Sequence, residues 1–256
     1  MADADSFGVM PALVEALRSA QRVTVLTGAG ISAESGVPTF RDAQTGLWAK
    51  YRPEELATPE AFRHNPKLVW EWYTWRRSLV ARAVPNAGHL ALVELERRVP
   101  SMTLVTQNVD GLHQRAGSQA VIELHGNINR TKCSREGIVV ESRAEAGDAP
   151  PRCPQCGGFL RPDVVWFGES LPVHALQAAI EAAGACDLFF SVGTSGVVEP
   201  AASLPYEALR HGAQVVEINP DVTQLTAHAT FALRGPAGAA LPALVRAAWP
   251  EEANRT

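Results

Sequence analysis

The chain has 256 residues, of which 46% are hydrophobic and 20% are charged, which is an ordinary composition for a globular protein. Its 23 basic and 27 acidic side chains give a formal charge of −4, so electrostatics give no reason to expect nucleic acid as a direct partner. Every apolar run is shorter than the roughly 20 residues of a membrane helix, and the acidic N-terminus lacks the pattern of a signal peptide. We therefore expect a cytoplasmic protein with no membrane partner.

Short apolar runs alternate with helical stretches along most of the chain. A short helix is predicted around Leu13 and Leu17, and further helices are predicted at about 86–98, 174–184 and 200–211. The predicted strands are 23–27, 102–106, 121–124, 188–192 and 214–218. Strands that are apolar on both faces and separated by helices indicate a parallel sheet covered on both sides. The sequence therefore predicts an α/β fold with a doubly wound, Rossmann-like sheet.

Two segments do not fit this sheet and are assigned to a smaller inserted domain. Residues 45–85 form a helical insertion rich in Trp, Tyr and Arg, and residues 126–168 form a ribbon that carries three of the four cysteines. The remaining segments belong to the large domain, which contains the sheet. They are 1–44, 86–125 and 169–256.

A glycine-rich turn follows the first predicted strand. Gly28, Gly30 and Ala33 fit the pattern of a turn that binds the pyrophosphate of a dinucleotide, although an isolated match is as consistent with a plain tight turn. A dehydrogenase would place a second strand and a ribose-binding acid about 20 residues further on, whereas the next strand here begins near Met102. The large domain is therefore predicted to bind a dinucleotide for chemistry other than hydride transfer.

This turn is the first of several blocks that resemble one protein family. It reads GAGIS at 28–32 and is followed by GVP at 36–38 and by Phe40-Arg41. The later blocks are TQNVDGLH at 106–113, ELHG at 123–126, RPDVVWFGE at 161–169, VGTS at 192–195 and INP at 218–220. Together the blocks resemble the signature of the sirtuins, which are NAD-dependent protein deacylases. They stand in the family's order over residues 23–240.

The resemblance implies a set of residues that bind NAD. They are Gly28, Ala29, Gly30, Ser32, Phe40, Arg41, Trp48, Gln107, Asn108, Asp110, Gly193, Thr194, Ser195, Asn219, Pro220 and Ala237. Asp110 would bind the nicotinamide carboxamide, and Phe40 would shield the reactive carbon. The implied catalytic residues are Asn108, which would order the ribose and a water molecule, and His125. A histidine can act as a base because it accepts a proton near neutral pH. The other six of the seven histidines are predicted to be solvated or structural.

The resemblance also implies where the acylated lysine binds. Val165, Trp166, Phe167 and Gly168 resemble the strand that pairs with the substrate backbone; the alternative for these residues is a plain buried strand. Tyr73 and Arg76 resemble the Tyr-x-x-Arg of sirtuins that prefer succinyl, malonyl or glutaryl lysine, and Ala57 resembles the small residue that widens their acyl pocket. The spacing alone favours an ordinary surface pair on an amphipathic helix.

Leu68, Trp72, Trp75 and Leu79 of the helical insertion repeat at helical spacing. This repeat predicts the buried face of a helix.

The cysteines only partly match the family's zinc site of two cysteine pairs. Cys153 and Cys156 form one pair, but Glu136 stands where a partner of Cys133 is expected. Tetrahedral zinc takes four ligands, so Cys133, Cys153 and Cys156 are candidate ligands with the fourth left open, Glu136 among the choices. A ribbon without metal and a Cys153–Cys156 redox pair are the alternatives. Cys186 is predicted to be buried and inert.

The sequence therefore predicts an NAD-dependent protein-lysine deacylase that prefers succinyl, malonyl or glutaryl lysine over acetyl-lysine. Its partners would be acylated proteins, and its products nicotinamide, free lysine and O-acyl-ADP-ribose. Three alternatives remain: a plain protein-lysine deacetylase, a protein ADP-ribosyltransferase on the same scaffold, and an NAD sensor without catalytic activity. The intact set of Asn108, Asp110 and His125 argues against the sensor.

Overall fold

The computed structural model describes residues 8–37, 51–140 and 149–250. In these ranges the strands are β1 (Arg22–Thr27), β2 (Ser101–Thr106), β3 (Val121–Glu123), β4 (Gly126–Cys133), β5 (Val139–Val140), β6 (Leu160–Val164), β7 (Leu188–Val192), β8 (Gln214–Asn219) and β9 (Phe231–Arg234). The α-helices are α1 (Pro11–Ser19), α2 (Pro53–Leu56), α3 (Pro59–His64), α4 (Pro66–Arg82), α5 (Ala87–Arg98), α6 (Leu112–Ala116), α7 (Val173–Ala185), α8 (Leu204–Arg210) and α9 (Ala237–Ala248). Short 3-10 helices span Ala29–Ser35, Ala201–Ser203 and Gln224–Ala227.

The larger sheet is parallel throughout and has the order β3-β2-β1-β7-β8-β9. One face is covered by α1, α5 and α9 and the other by α7 and α8. Because both faces are covered, the central strands β1, β7 and β8 are buried at nearly every position. The prediction of an α/β fold with a doubly wound sheet is confirmed.

Strand β9 was not predicted from the sequence. It has four residues, Phe231-Ala232-Leu233-Arg234, and it lies at the edge of the sheet. An edge strand is paired on one side only, and its burial alternates here, so it lacks the continuous apolar run that marks the central strands.

The chain reverses its direction of strand addition between β1 and β7. From β1 it builds towards β3, and it then returns to pair β7 on the other side of β1. Ligands of open α/β sheets bind at such a switch point, outside the carboxyl ends of the strands. The loops after β1 and β7 therefore define the edge at which a dinucleotide is expected.

The second sheet is antiparallel, with the order β5-β4-β6. It shares an apolar core with α2, α3 and α4, to which Phe62, Trp72, Tyr73, Ile128 and Trp166 contribute. Helices α3 and α4 thus pack against β4 and β6, which are distant from them in sequence. A division into two domains at the predicted boundaries stays a prediction.

Helix α4 begins at a clear capping signal. Pro66 is its first residue, and the side chain of Asn65 accepts a hydrogen bond of 3.1 Å from the backbone N–H of Leu68. Proline is favoured there because the first helical N–H has no partner inside the helix. Among the described helices, none is both long and apolar enough to cross a bilayer.

Candidate functional site

The glycine turn after β1 and the loop after β7 interlock through their backbones. Gly28 N–H donates to Val192 O at 3.0 Å, and Gly30 N–H donates to Gly193 O at 2.8 Å. A Cβ added to Gly30 would lie 2.7 Å from both Cα and O of Gly193, and one added to Gly28 would lie 2.8 Å from Gly193 O. The space is therefore closed to side chains, which leaves backbone surface of the kind that approaches a pyrophosphate.

Asn108 and Asp110 follow β2 and lie against this turn. Asn108 donates through Nδ2 to Gly28 O at 3.0 Å. Asp110 is buried, and its carboxylate accepts from Leu112 N–H and from Ser32 Oγ, both at 2.8 Å. Burial raises the pKa of Asp110 above its ordinary value, while the hydrogen bonds from Leu112 and Ser32 act in the opposite direction. The predicted nicotinamide pair is therefore held in one orientation by residues of the turn and of α6.

His125 follows β3 and lies at the same edge of the sheet. Its Nδ1 is 2.8 Å from the carbonyl oxygen of Gln107. A carbonyl can only accept, so Nδ1 carries the proton and Nε2 of the neutral ring is free to accept one. Burial lowers the pKa of His125 below its ordinary value, and the bond to Gln107 partly opposes this. Gln107 Nε2 in turn donates to Thr194 Oγ1 at 3.0 Å, which joins the loops after β2 and β7.

Two histidines without a predicted catalytic role lie buried behind Asp110. His89 Nε2 is 3.5 Å from Ser32 Oγ, and His113 Nε2 is 2.9 Å from Thr27 Oγ1. Their rings are 4.9 Å apart. Burial lowers the pKa of His89 to about 4 and that of His113 to about 3, so both are neutral at pH 7.

His89 is a neighbour of the site that sequence reasoning missed. A signal existed, because Asn86 and His89 form a capping box at the start of α5, with the Asn86 N–H 3.4 Å from His89 Nδ1. That bond leaves Nε2 directed towards Ser32. The sequence indicates the cap but not the contact with Ser32, which is 57 positions away.

The carboxyl ends of β8 and β9 bring together the residues predicted for the adenosine half of NAD. Asn219 donates through Nδ2 to Thr194 O at 2.7 Å. Ala237 is the first residue of α9, and the N–H of Gly238 donates to Glu34 Oε2 at 2.7 Å, which ties α9 to the glycine turn. Ser195 and Pro220 lie exposed beside these groups. Phe40, Arg41 and Trp48 lie outside the described residues.

Ion pairing fixes the loop that follows Asn219. The guanidinium of Arg234 donates to Glu217 Oε2 at 2.7 Å and to Asp221 O at 2.8 Å. Glu217 is buried and also accepts from the hydroxyls of Thr223 and Thr226. Because a buried charge is stable only when it is paired, this network connects β8, β9 and the loop between them.

The predicted substrate strand leaves β6 and passes close to His125. Val165 N–H donates to His125 O, and Phe167 N–H donates to Ala57 O, both at 2.9 Å. The side chain of Trp166 is buried, whereas that of Phe167 is 46% exposed. Residues 165–168 thus form a loop and turn after β6 and not the predicted strand, because backbone N–H groups of this segment bond to the backbones of His125 and Ala57 instead of to a neighbouring strand.

Two of the three residues predicted for the acyl pocket, Ala57 and Tyr73, lie in the shared core of α2 to α4. Ala57 and Tyr73 are buried, and Arg76 is half-buried one helical turn from Tyr73. Burial raises the pKa of Tyr73 to about 12 and lowers that of Arg76, with their mutual electrostatic interaction acting against both shifts. The phenol is neutral at pH 7, and a guanidinium keeps its charge even when buried. Tyr73 and Arg76 are therefore not an ordinary surface pair.

The ribbon brings three thiols together. Cys133 Sγ and Cys156 Sγ are 3.4 Å apart, and the sulfurs of Cys133, Cys153 and Cys156 all lie within 4.8 Å of one another. The carboxylate of Glu136 is not in this group of described residues; instead its backbone N–H faces Cys133 Sγ at 3.5 Å and lowers the pKa of that thiol. A triangle of thiols fits three corners of a tetrahedral zinc site better than a two-cysteine redox pair. Cys186 is buried, away from this group.

Comparisons with known proteins agree on one family. The model of the Sir2 family matches residues 28–200. The NAD-dependent protein deacylase of Aquifex aeolicus is 59% identical over 205 residues, which are 80% of this chain and 85% of that protein. NAD-dependent protein deacylase 1 of Pseudomonas aeruginosa is 52% identical over 249 residues, which are 94% of this chain and 100% of that protein.

Solved structures give the same result. The NAD complex of a Sir2 homologue has a TM-score of 0.88 and 45% identity, and the match covers 94% of each chain. A mutant of a Sir2 homologue in complex with 2′-O-acetyl ADP ribose has a TM-score of 0.87 and 48% identity, covering 94% of this chain and 96% of that one. The chain belongs to the Sir2 family.

Proposed function

We propose that this protein is an NAD-dependent protein deacylase that removes acidic acyl groups from lysine side chains. The observation that carries the proposal is the convergence of Asn108, Asp110 and His125 on the interlocked loops of Gly28 and Gly193. Relatives over half identical to this chain bear the name NAD-dependent protein deacylase. A structural neighbour binds an acetylated ADP-ribose, a product of the kind that such a reaction gives.

The loops at the sheet edge would hold NAD. Gly28 to Ser32 and Gly193 to Ser195 would bind the pyrophosphate through backbone N–H groups, and Asn219 and Ala237 would contact the adenosine. Asp110 would accept the carboxamide N–H groups of nicotinamide, since a carboxylate that already accepts two hydrogen bonds retains further lone pairs. When bound, NAD supplies the ribose carbon that receives the acyl oxygen.

His125 would take a proton from a ribose hydroxyl. Its Nδ1–H is held by Gln107 O, so Nε2 is the atom that accepts. The lowered pKa keeps the ring neutral at pH 7, as a base must be. Asn108 would orient the ribose, because its side chain is fixed by Gly28 O. Phe40 would cover the site and keep water out.

The acylated lysine of a protein would bind along Val165 to Gly168. Backbone pairing with this segment would tolerate many flanking sequences, since main-chain hydrogen bonds do not depend on side chains. The hydrogen bonds of Val165 to His125 O and of Phe167 to Ala57 O would then align the lysine between the base and the acyl pocket.

Arg76 and Tyr73 would bind the distal carboxylate of a succinyl, malonyl or glutaryl group. Both are donors at pH 7, and the small side chain of Ala57 would leave room beside them. A hydrogen bond to a charged group contributes about 1.5–3 kcal/mol, which is about ten- to a hundred-fold in preference over a neutral acyl group.

Cys133, Cys153 and Cys156 would hold zinc, which would cross-link the ribbon and have no part in the reaction. Metal analysis of the purified protein tests this role directly.

A cytoplasmic location stays a prediction.

The test of the function is turnover of matched acetyl-, malonyl-, succinyl- and glutaryl-lysine peptides with NAD, with products followed by mass spectrometry. We expect nicotinamide, free lysine and acyl-ADP-ribose in equal amounts, and faster turnover of the acidic peptides. Equal rates for succinyl and acetyl peptides would refute the acyl preference. ADP-ribose retained on protein without deacylation would favour an ADP-ribosyltransferase, and no nicotinamide release from any peptide would favour an NAD sensor.

A further inference from the structure

We propose that Trp166 is a positioning residue for acyl selectivity, because its indole N–H forces the hydroxyl of Tyr73 to donate into the acyl pocket. The inference rests on the proposed preference for acidic acyl groups and assigns part of that preference to a residue that need not touch the acyl carboxylate. It concerns the direction of a single proton, that of the Tyr73 hydroxyl.

The key contact is a hydrogen bond of 2.9 Å from Trp166 Nε1 to Tyr73 Oη. Both side chains are buried, with exposures of 2% and 1%. An indole N–H can only donate, so the phenol oxygen must accept here. Its own proton therefore points away from Trp166. Among the described residues, this is the hydrogen bond that the phenol makes, so its O–H can still serve a ligand.

Three contacts restrict the position of Trp166, one through its backbone and two through its indole ring. The backbone N–H of Trp166 donates to Glu169 Oε2 at 2.9 Å. The guanidinium of Arg161 lies 3.3 Å from the centroid of the Trp166 ring and donates to both carboxylate oxygens of Glu169, at 2.6 and 2.8 Å. The ring of Phe62 packs against the indole at 5.3 Å. Trp166 therefore has little freedom to turn its N–H away from Tyr73.

The fixed proton direction favours a carboxylate in the pocket. Tyr73 and Arg76 are three positions apart on α4, so their side chains reach a common region. A carboxylate only accepts hydrogen bonds. Its binding is therefore strengthened by a phenol that donates a hydrogen bond and weakened by a phenol that presents a lone pair. An acetyl group has no distal acceptor and gains nothing. Trp166 thus increases the discrimination between acidic and neutral acyl groups without adding charge.

The test compares the protein with Trp166→Phe, Tyr73→Phe and the double variant. Phenylalanine keeps an aromatic ring and removes the N–H. The readouts are the Kd of succinyl- and acetyl-lysine peptides by calorimetry without NAD, and kcat and KM with NAD. We expect Trp166→Phe to weaken succinyl binding relative to acetyl binding by about two- to ten-fold, the range of one hydrogen bond. In the Tyr73→Phe background the same change should leave the ratio unaltered.

Trp249→Phe is the matched control, since Trp249 packs against the core of the large sheet and not against the pocket. Site-specific replacement of Trp166 by benzothienylalanine, which keeps the shape of indole but has no N–H, serves if Trp166→Phe does not fold. Equal losses for both peptides, or an unchanged ratio in either Trp166 variant, would overturn the inference alone. A wild-type protein without acidic preference would overturn both the inference and the acyl preference on which it rests.

Discussion

At His125, burial and a backbone carbonyl act in opposite directions on one imidazole. Burial is the larger influence and lowers the pKa of the ring, while the bond to Gln107 O raises it. The net shift is downward from about 6.5. A base works in its neutral form, so activity should rise with pH through the lowered pKa and be constant above it.

The first prediction is therefore a pH profile. We expect kcat/KM for a succinyl peptide to fall only below about pH 6.5, with one proton taken up. His125→Ala should abolish product formation at every pH, while calorimetry shows NAD still binding. His64→Ala, at an exposed position outside the site, is the control. Turnover retained by His125→Ala would exclude His125 as the base.

The second prediction concerns Arg76. Methionine in its place keeps the length of the chain and removes the charge, so Arg76→Met should lower succinyl kcat/KM by about ten- to a hundred-fold and affect acetyl turnover much less. Arg77→Met is the matched control, because Arg77 lies next to Arg76 but donates to Ile128 O at 2.6 Å. Equal losses on both substrates in Arg76→Met would contradict the assigned role.

At the level of elements, the glycine turn and the loop after β7 act as one unit. Gly193 has a φ of 59°, and its backbone lies against Gly30. The unit joins the two strands on either side of the switch point, so a change in either loop moves the other. NAD affinity is therefore expected to depend on the fit between these loops as much as on any side chain.

The third prediction tests this fit. Gly30→Ala should weaken NAD binding markedly, because its Cβ would meet backbone atoms of Gly193 at 2.7 Å and separating the loops costs about 1–3 kcal/mol. Gly184→Ala in α7 is the control, since its Cβ would meet the nearest described atom, in His211, at an ordinary 3.5 Å. Calorimetry with NAD measures both. Unchanged NAD affinity in Gly30→Ala would mean that the close contact between Gly30 and Gly193 is not part of the NAD site.

Helix α4 shows what spacing can and cannot predict. The repeat of Leu68, Trp72, Trp75 and Leu79 predicts the buried face, but of these only Trp72 is fully buried. The residues with buried side chains are Val69, Trp70, Trp72, Tyr73 and Val80. The buried face differs from the predicted one because Tyr73 of α4 packs against Trp166, which follows β6. This partner cannot be identified from the sequence of the helix alone.

At the level of the whole molecule, the two neutral histidines beneath the site link stability to pH. Their folded pKa values, about 4 for His89 and about 3 for His113, lie below the ordinary value near 6.5. The unfolded chain therefore binds more protons in this range. The stability that the neutral rings contribute is fully present above about pH 6.5 and is lost as the pH falls towards 4.

The fourth prediction follows from this loss of stability at low pH. The free energy of unfolding should fall between pH 6.5 and 4.5 by about 1.4 kcal/mol per pH unit for each imidazole, measured by urea denaturation. His89→Gln should reduce the slope, because glutamine preserves the capping box with Asn86 but does not titrate. His64→Gln, at an exposed position, should keep the wild-type slope. An equal slope in His89→Gln and wild type would exclude the linkage.

Local patterns in the sequence determined the fold class, the central strands, the glycine turn and the resemblance to the Sir2 family, because apolar runs and turn residues act within a few positions of one another. Only the tertiary structure decided that His89 lies behind Ser32, that Trp166 holds Tyr73, and that the thiols gather without the carboxylate of Glu136. These contacts join elements far apart in the chain; Tyr73 and Trp166 are separated by 93 positions. Such pairs depend on how helices and sheets pack, which no local pattern specifies.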